Sequence, residues 1–239
     1  MESKFYSPDV HRAEKVHELF ATIARRYDLL NDLMSFGLHR RWKHRLVELA
    51  GQPRDVLDLC CGTGDLALRF NCRVVGVDFT EEMLRVAVAA VANRGRACQA
   101  RLQPTWVRAD ALRLPFADDS FDVVSVGYGL RNLADLERGL REGWRVLRPG
   151  GKMLSLDFGK PESPALRRAY FAYLRLVLPI LGRVYCGDPD THGYILMSLQ
   201  DYPAQRGLKT LMESCGYGDC GFEEFVGGTI AINFGSKRR

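Results

Sequence analysis

Apolar residues between positions 7 and 50 recur three and four apart: Val16, Leu19, Phe20 and Ile23, then Leu30, Leu33 and Met34, then Trp42, Leu46 and Leu49. That spacing gathers them on one face of successive helices, so two or three helices are expected before any strand. Ser7-Pro8 supplies a cap and a first-turn proline, and Gly51 with Pro53 stops the last helix. From Asp55 the pattern changes to short, nearly continuous apolar runs at 56–59, 74–78, 105–107, 121–126 and 153–156. Helical stretches separate them, Glu81–Asn93 and Leu133–Leu147, the second closed by Arg148-Pro149-Gly150-Gly151. Strands of this kind alternating with helices predict a parallel sheet covered on both faces. After Asp157 we expect a helix from Ala165, an irregular polar segment at 188–192, a helix at 204–215, and a hairpin turning at Gly227-Gly228. The economical reading is one α/β domain over residues 1–239 with residues 1–50 as a helical N-terminal extension.

Composition narrows the classes without choosing among them. The 239 residues are 46% hydrophobic and 26% charged, which is ordinary globular usage and excludes disordered, fibrous and disulfide-scaffold proteins. The net charge of +5 is too small to demand nucleic acid or an anionic membrane. Seven cysteines with no Cys-x-x-Cys pair read as reduced thiols, and no metal site is expected. The first residues lack a secretory pattern. The greasiest stretch, Tyr170 to Leu181, is broken by Arg175 and Pro179 and falls short of a membrane span.

The chemistry concentrates at Val56-Leu57-Asp58-Leu59-Cys60-Cys61-Gly62-Thr63-Gly64-Asp65, where a buried strand runs into a glycine turn and then a helix. Glycines let backbone approach a ligand closely. Asp78, at the end of the next strand, stands where open α/β sheets hold ribose hydroxyls. Gly62-x-Gly64-x-x-Ala67 also satisfies the loose dinucleotide fingerprint, so an NAD-dependent reductase stays open. Asp58 favours S-adenosylmethionine (SAM): a carboxylate there repels a pyrophosphate but could hold an ammonium, or else brace the turn. Asp110 could accept from an adenine amino group while the backbone N–H of Ala111 serves a ring nitrogen.

The spacing of these blocks resembles the class I SAM-dependent methyltransferases. Further segments resemble the ubiquinone/menaquinone biosynthesis C-methyltransferases: Arg26-Tyr27-Asp28-Leu29-Leu30-Asn31-Asp32-Leu33-Met34-Ser35-Phe36-Gly37-Leu38-His39-Arg40-Arg41-Trp42, Tyr128-Gly129-Leu130-Arg131-Asn132, and Asp157-Phe158-Gly159-Lys160-Pro161. The resemblance covers nearly the whole chain. It implies a Rossmann-like fold with a seven-stranded, mostly parallel sheet, helices on both faces, and an N-terminal extension that forms part of the substrate pocket. It implies SAM held by Thr63, Asp78, Asp110 and Ala111, with Asp58, Gly62, Gly64 and Gly127 completing the seat. Gly127 stands where the family often has serine, leaving only its backbone to serve.

The implied reaction is methyl transfer to a ring carbon of a demethylmenaquinol-type naphthoquinol, with a ubiquinone-precursor benzoquinol or a phytyl naphthoquinol as alternatives. Such a carbon becomes nucleophilic when an adjacent hydroxyl ionises, and Arg131 is the candidate cation to favour that ionisation. Asn132 orients the same oxygen or caps the following helix. His39 is a candidate base or a structural histidine, in competition with a water near Arg131 or Asp110. Tyr27, Asn31 and Tyr128 are the expected substrate contacts, Tyr128 by stacking or as a core aromatic.

A polyprenyl tail requires transient contact with a membrane surface, and Arg167–Leu178 mixes aromatics, aliphatics and arginines as an interfacial segment does. The expectation is a cytoplasmic protein that visits the inner face of the cytoplasmic membrane, with a homodimer as one assembly and no nucleic-acid partner. A non-catalytic quinone- or lipid-binding module is the remaining rival.

Overall fold

The computed structural model describes residues 12–93, 103–186 and 190–238. Three helices come first: α1 (Arg12–Ile23), α2 (Tyr27–Ser35) and α3 (His39–Ala50). The first strand, β1 (Asp55–Leu59), is buried at every position. Such a strand needs neighbours on both edges and a layer on each face. Its neighbours are β2 (Arg73–Asp78) and β4 (Phe121–Gly127), both parallel to it. Outside them lie β3 (Thr105–Arg108), β5 (Leu147–Phe158), β6 (Tyr217–Phe225) and β7 (Ile230–Lys237). The sheet order is β3-β2-β1-β4-β5-β7-β6, and β7 alone runs against the rest. The order reverses between β1 and β4, and the loops leaving their carboxyl ends bound a crevice there.

Alternation along the strands sorts the core into two layers. Val56, Val74, Val123, Leu154 and Leu156 meet Trp42, Leu46 and Ala50 of α3 on one face. Leu57, Leu59, Val124 and Val126 face the other way, toward Leu140 of α5 (Leu136–Val146) and Leu208 and Met212 of α8 (Ala204–Ser214). Each fully buried leucine contributes about 1.5–3 kcal/mol, so the sheet and its two helical layers carry most of the stability.

Residues of α1, α2 and the turn between them form a third cluster instead. Leu19, Ile23, Ala24 and Leu30 pack against Met83 of α4 (Glu81–Asn93) and Tyr194 of α7 (Asp190–Asp201), which roofs the carboxyl edge of the sheet.

Four elements differ from the sequence reading. The helix expected after the glycine turn is a single 3-10 turn, Ala67–Arg69, because Arg73 must already start β2. Arg148–Gly151 does not close a helix. The chain turns extended at Leu147 and runs on as β5. Helix α5 starts three residues later than expected, where the Asp135 side chain accepts from the Arg138 N–H at 2.9 Å. The polar segment at 188–192 is helical from Asp190 onward. Helix α6 (Pro164–Leu181) begins behind a Ser163 cap, and the terminal hairpin turns through Val226–Gly228. The Ser7-Pro8 cap lies outside the described residues.

Candidate active site

The crevice opens into a cavity at the carboxyl edge of the sheet. Its floor is Cys60 and Gly62 after β1, Asp78 to Thr80 after β2, Ala109 to Leu112 after β3 and Gly127 to Gly129 after β4. Ala13, Val16 and Phe20 of α1 close it from above. Gly62 has φ +54° and a Cβ placed there would meet nothing within 4 Å, so this turn leaves room for a ligand against the backbone. The Asp78 carboxylate accepts from Gly62 N–H at 2.8 Å through one oxygen and from Thr80 N–H at 2.8 Å through the other. Burial raises the Asp78 carboxyl, and those two N–H bonds work against the rise. Asp110 is tied at 2.9 Å to the Leu112 N–H, and Ala111 beside it is buried.

Behind this cavity lies a small chamber lined by Tyr27, Asn31, Tyr128, Arg131, Phe158 and Tyr194, among others. Arg131 is buried, with Nη1 donating to Tyr128 O at 2.7 Å and to Asp157 Oδ1 at 3.0 Å. Burial, the largest single influence, opposes its charge, but the Asp157 carboxylate together with Tyr27 and Tyr194 holds Arg131 above its ordinary value. The guanidinium lies 4.9 Å from the centre of the Phe158 ring. Arg131 Nε and Asn31 Nδ2 are buried with no hydrogen-bond partner among the described residues. A second, apolar cavity continues beyond, walled by Met34, Trp42, Tyr128, Phe158, Tyr170 and Tyr173. Tyr128 belongs to all three spaces. It has φ +60°, a conformation costly for an aromatic residue, and is held there by a 2.7 Å bond from its N–H to Leu156 O.

The structure therefore brings Gly62, Asp78, Asp110, Ala111, Gly127, Tyr27, Tyr128 and Asn132 to the first cavity, and Arg131 and Asn31 to the chamber behind it. Four candidates, Asp58, Thr63, Gly64 and His39, have their side chains or side-chain positions turned elsewhere. Asp58 points to the α3 side of the sheet, where Ser125 Oγ donates to it at 2.7 Å, and it is absent from the cavity wall. Burial pushes its carboxyl up to about 7, against the Ser125 bond and the Lys43 charge. Thr63 is also turned away, donating at 2.8 Å to Asp28 of α2 and so tying the glycine turn to the roof. Gly64 serves packing: a Cβ there would lie 2.5 Å from the Trp106 ring. His39 is buried, and burial, with Lys43 next, lowers its pKa. Ser35 Oγ donates to Asn31 O at 2.6 Å, so Nδ1 of His39 carries the proton in its 2.9 Å bond to Ser35. Its other nitrogen faces Asp32 at 3.7 Å and Asp65 at 4.0 Å, so neither nitrogen is offered to the chamber as a base. Asn132 does not cap α5. It donates to Tyr128 O at 3.2 Å and accepts from the Tyr194 hydroxyl at 3.0 Å.

The ubiE/COQ5 methyltransferase family model matches residues 9–237. The chain belongs to that family. It is 40% identical over 230 residues to the ubiquinone/menaquinone biosynthesis C-methyltransferase UbiE of Idiomarina loihiensis, covering 93% of this chain and 90% of that one. It is 36% identical over 236 residues to the demethylmenaquinone methyltransferase of Desulfitobacterium hafniense, covering 95% and 92%. A SAM-dependent methyltransferase structure from Thermotoga maritima superposes with TM-score 0.66 at 17% identity, covering 93% of this chain and 99% of that one, which shows the shared fold. The protein is thus a SAM-dependent C-methyltransferase of quinone biosynthesis with the class I fold, and the reductase reading of the glycine turn is set aside.

Within this UbiE/COQ5-type site the sequence reading overlooked Asp157, Tyr194, Phe79 and Met83. Asp157 ends a buried apolar run, and an acid in that position is a signal for a paired cation. Tyr194 carries no such signal, because only the packing of α7 brings it to the chamber.

Proposed function

We propose that the protein methylates a ring carbon of a reduced, demethylmenaquinol-type polyprenyl naphthoquinol, with SAM seated in the cavity at the carboxyl edge of the sheet. Asp78 would take the ribose hydroxyls, Asp110 and Ala111 the adenine, and the Gly62 turn the close approach of the donor's chain. Bound there, SAM supplies an electrophilic methyl, and each turnover releases S-adenosylhomocysteine and one proton from the acceptor.

The observation that carries the reading is the pair of buried donors without a hydrogen-bond partner among the described residues, Arg131 Nε and Asn31 Nδ2, in the walls of one chamber between the cavity at the sheet edge and an apolar one. An unpaired buried N–H costs about 1–3 kcal/mol, which an acceptor oxygen placed in the chamber offsets. A bond from a guanidinium grows stronger as a quinol oxygen becomes a phenolate, so the pair favours the ionised acceptor that the reaction needs. The ion pair with Asp157 keeps Arg131 aimed and lets a neutral quinol enter a site with no net charge to desolvate. Phe158, Tyr128 and Tyr27 provide flat walls for the ring, and the apolar cavity takes the first part of the tail. Roofing by α1 and α2 excludes water from the reacting groups.

A naphthoquinol is favoured by the aromatic walls and by the relative named demethylmenaquinone methyltransferase. Purified protein with SAM and a panel of reduced naphthoquinols and benzoquinols tests this. The expected product is heavier by one methyl, with the highest kcat/KM for a naphthoquinol. Preference for a benzoquinol overturns the substrate assignment.

A further inference from the structure

The apolar cavity has a mouth, and the described chain is unusually greasy around it. Phe36, Leu38, Leu166 and Val226 line the cavity and are nonetheless exposed, Phe36 by 84%. Phe36 sits at the tip of the turn between α2 and α3 with φ +51°, a left-handed conformation that a turn normally gives to glycine or asparagine. The next residue is Gly37, so a glycine is at hand, yet an aromatic ring occupies the tip.

Helix α6 forms another edge of the mouth. Tyr170, Tyr173, Leu174 and Leu178 turn inward to line the cavity. On its outer face Leu176 and Ile180 are 69% and 62% exposed, and Val184 in the following turn is 66% exposed. Residues 164–186 hold four arginines, Arg167, Arg168, Arg175 and Arg183, and no carboxylate. Arg168, Arg175 and Arg183, with Arg41 on α3, form no ion pair among the described residues, whereas Arg40, Arg45, Arg85, Arg141 and Arg206 each pair with a carboxylate. At 100° per residue Ala165, Ala172, Leu176 and Ile180 fall on one stripe, with Arg168 and Arg175 along its flank.

We propose that the mouth rim and the outer face of α6 are a docking surface for an anionic lipid bilayer, through which a lipid-tailed acceptor passes into the cavity without crossing water. The proposal rests on the acceptor reading above for its purpose. Its residues argue separately for a lipid surface: exposed aliphatics in a stripe, an aromatic at a turn tip, and unpaired cations alongside complement an apolar interior under a negative headgroup layer. No described helix is long and apolar enough to cross a membrane, so this is contact along the surface.

The test is co-sedimentation with vesicles of phosphatidylcholine alone or mixed with phosphatidylglycerol. Wild-type protein is expected to pellet with the anionic vesicles, less so at high salt. Leu176→Glu/Ile180→Glu and Arg168→Glu/Arg175→Glu should each weaken binding at least about tenfold, while Val88→Glu, at an exposed valine of α4 away from this face, leaves it unchanged. Turnover of a short-tailed, water-soluble naphthoquinol should be unaltered in all three, which shows that they fold. Absence of binding to anionic vesicles, or variants that bind as wild type does, overturns the proposal. So does a dimer that the α6 variants dissociate while vesicles recover nothing, since the face would then join two copies. If no quinol is turned over while vesicle binding and its loss behave as stated, the acceptor reading falls and the docking surface stands.

Discussion

The seat proposed for the methyl donor and the chamber proposed for the acceptor adjoin, yet they are built by different rules. The donor seat is made at strand ends, from backbone N–H groups, small residues and two acids, Asp78 and Asp110, each anchored by a main-chain N–H two residues on, Asp78 also by the Gly62 N–H of the turn after the neighbouring strand. The acceptor chamber is made of large side chains from distant segments: Asn31 of α2, Arg131 after β4, Phe158 at the end of β5 and Tyr194 of α7. A seat of the first kind follows from the sheet edge and serves any reaction with the same donor. A chamber of the second kind exists only once helices pack over the sheet, and on the proposed reading selectivity for the acceptor resides there.

If that division holds, substitutions should separate donor binding from turnover. The largest effect on turnover is expected from Arg131→Met, with kcat falling about 10²–10³-fold as for loss of an oxyanion donor, while S-adenosylhomocysteine still binds by calorimetry. Because removing one partner of a buried pair also costs about 3–5 kcal/mol of stability, the double variant with Asp157→Asn distinguishes lost chemistry from lost folding. A stable double variant with wild-type kcat would contradict the role given to Arg131.

Gly62→Val should do the reverse. It places a branched side chain at φ +54° into the open part of the seat, and S-adenosylhomocysteine should bind at least about tenfold more weakly, equivalent to 1.4 kcal/mol. Undiminished binding would remove the glycine turn from the donor seat. Asn31→Leu is milder: loss of one neutral donor is expected to lower kcat/KM about tenfold with donor affinity unchanged.

Asp58→Asn should leave both sites working and alter only stability against pH. The folded protein holds this proton to about 7, far above an unfolded aspartate. Between about pH 4 and 7 the native state therefore binds more protons than the unfolded state, and stability falls as pH rises, by up to about 1.4 kcal/mol per pH unit for one group. Denaturant titrations across that range should show the slope in wild type and not in the variant. An unchanged slope would place the titration elsewhere.

The same division explains what could be read from the sequence. The strands below the first cavity are nearly continuous apolar runs, and the acids and glycines that end them stand out against that background, so it was legible that Gly62, Asp78, Asp110 and Ala111 line one crevice. The face on which Asp58 lies was not legible, because a strand sends successive side chains to opposite faces and a residue near a glycine turn need not face the crevice beside it. The contacts of Thr63 and His39 were not legible for a related reason, since each is spent on holding the N-terminal helices, to Asp28 in one case and Ser35 in the other. Asp157 was visible as a buried acid, but its partner at Arg131 lies 26 residues away, a distance that only the β4–β5 pairing brings to contact.

Tyr128 ties these two halves together. Its ring is a party wall common to both rooms and to the passage between them, and its backbone is pinned in a conformation that few residues accept. Enlarging the acceptor room by trimming that ring would also reshape the donor's. Adaptation to a bulkier quinol must instead come from α6 and the hairpin, so relatives with different acceptors should diverge there and agree at position 128.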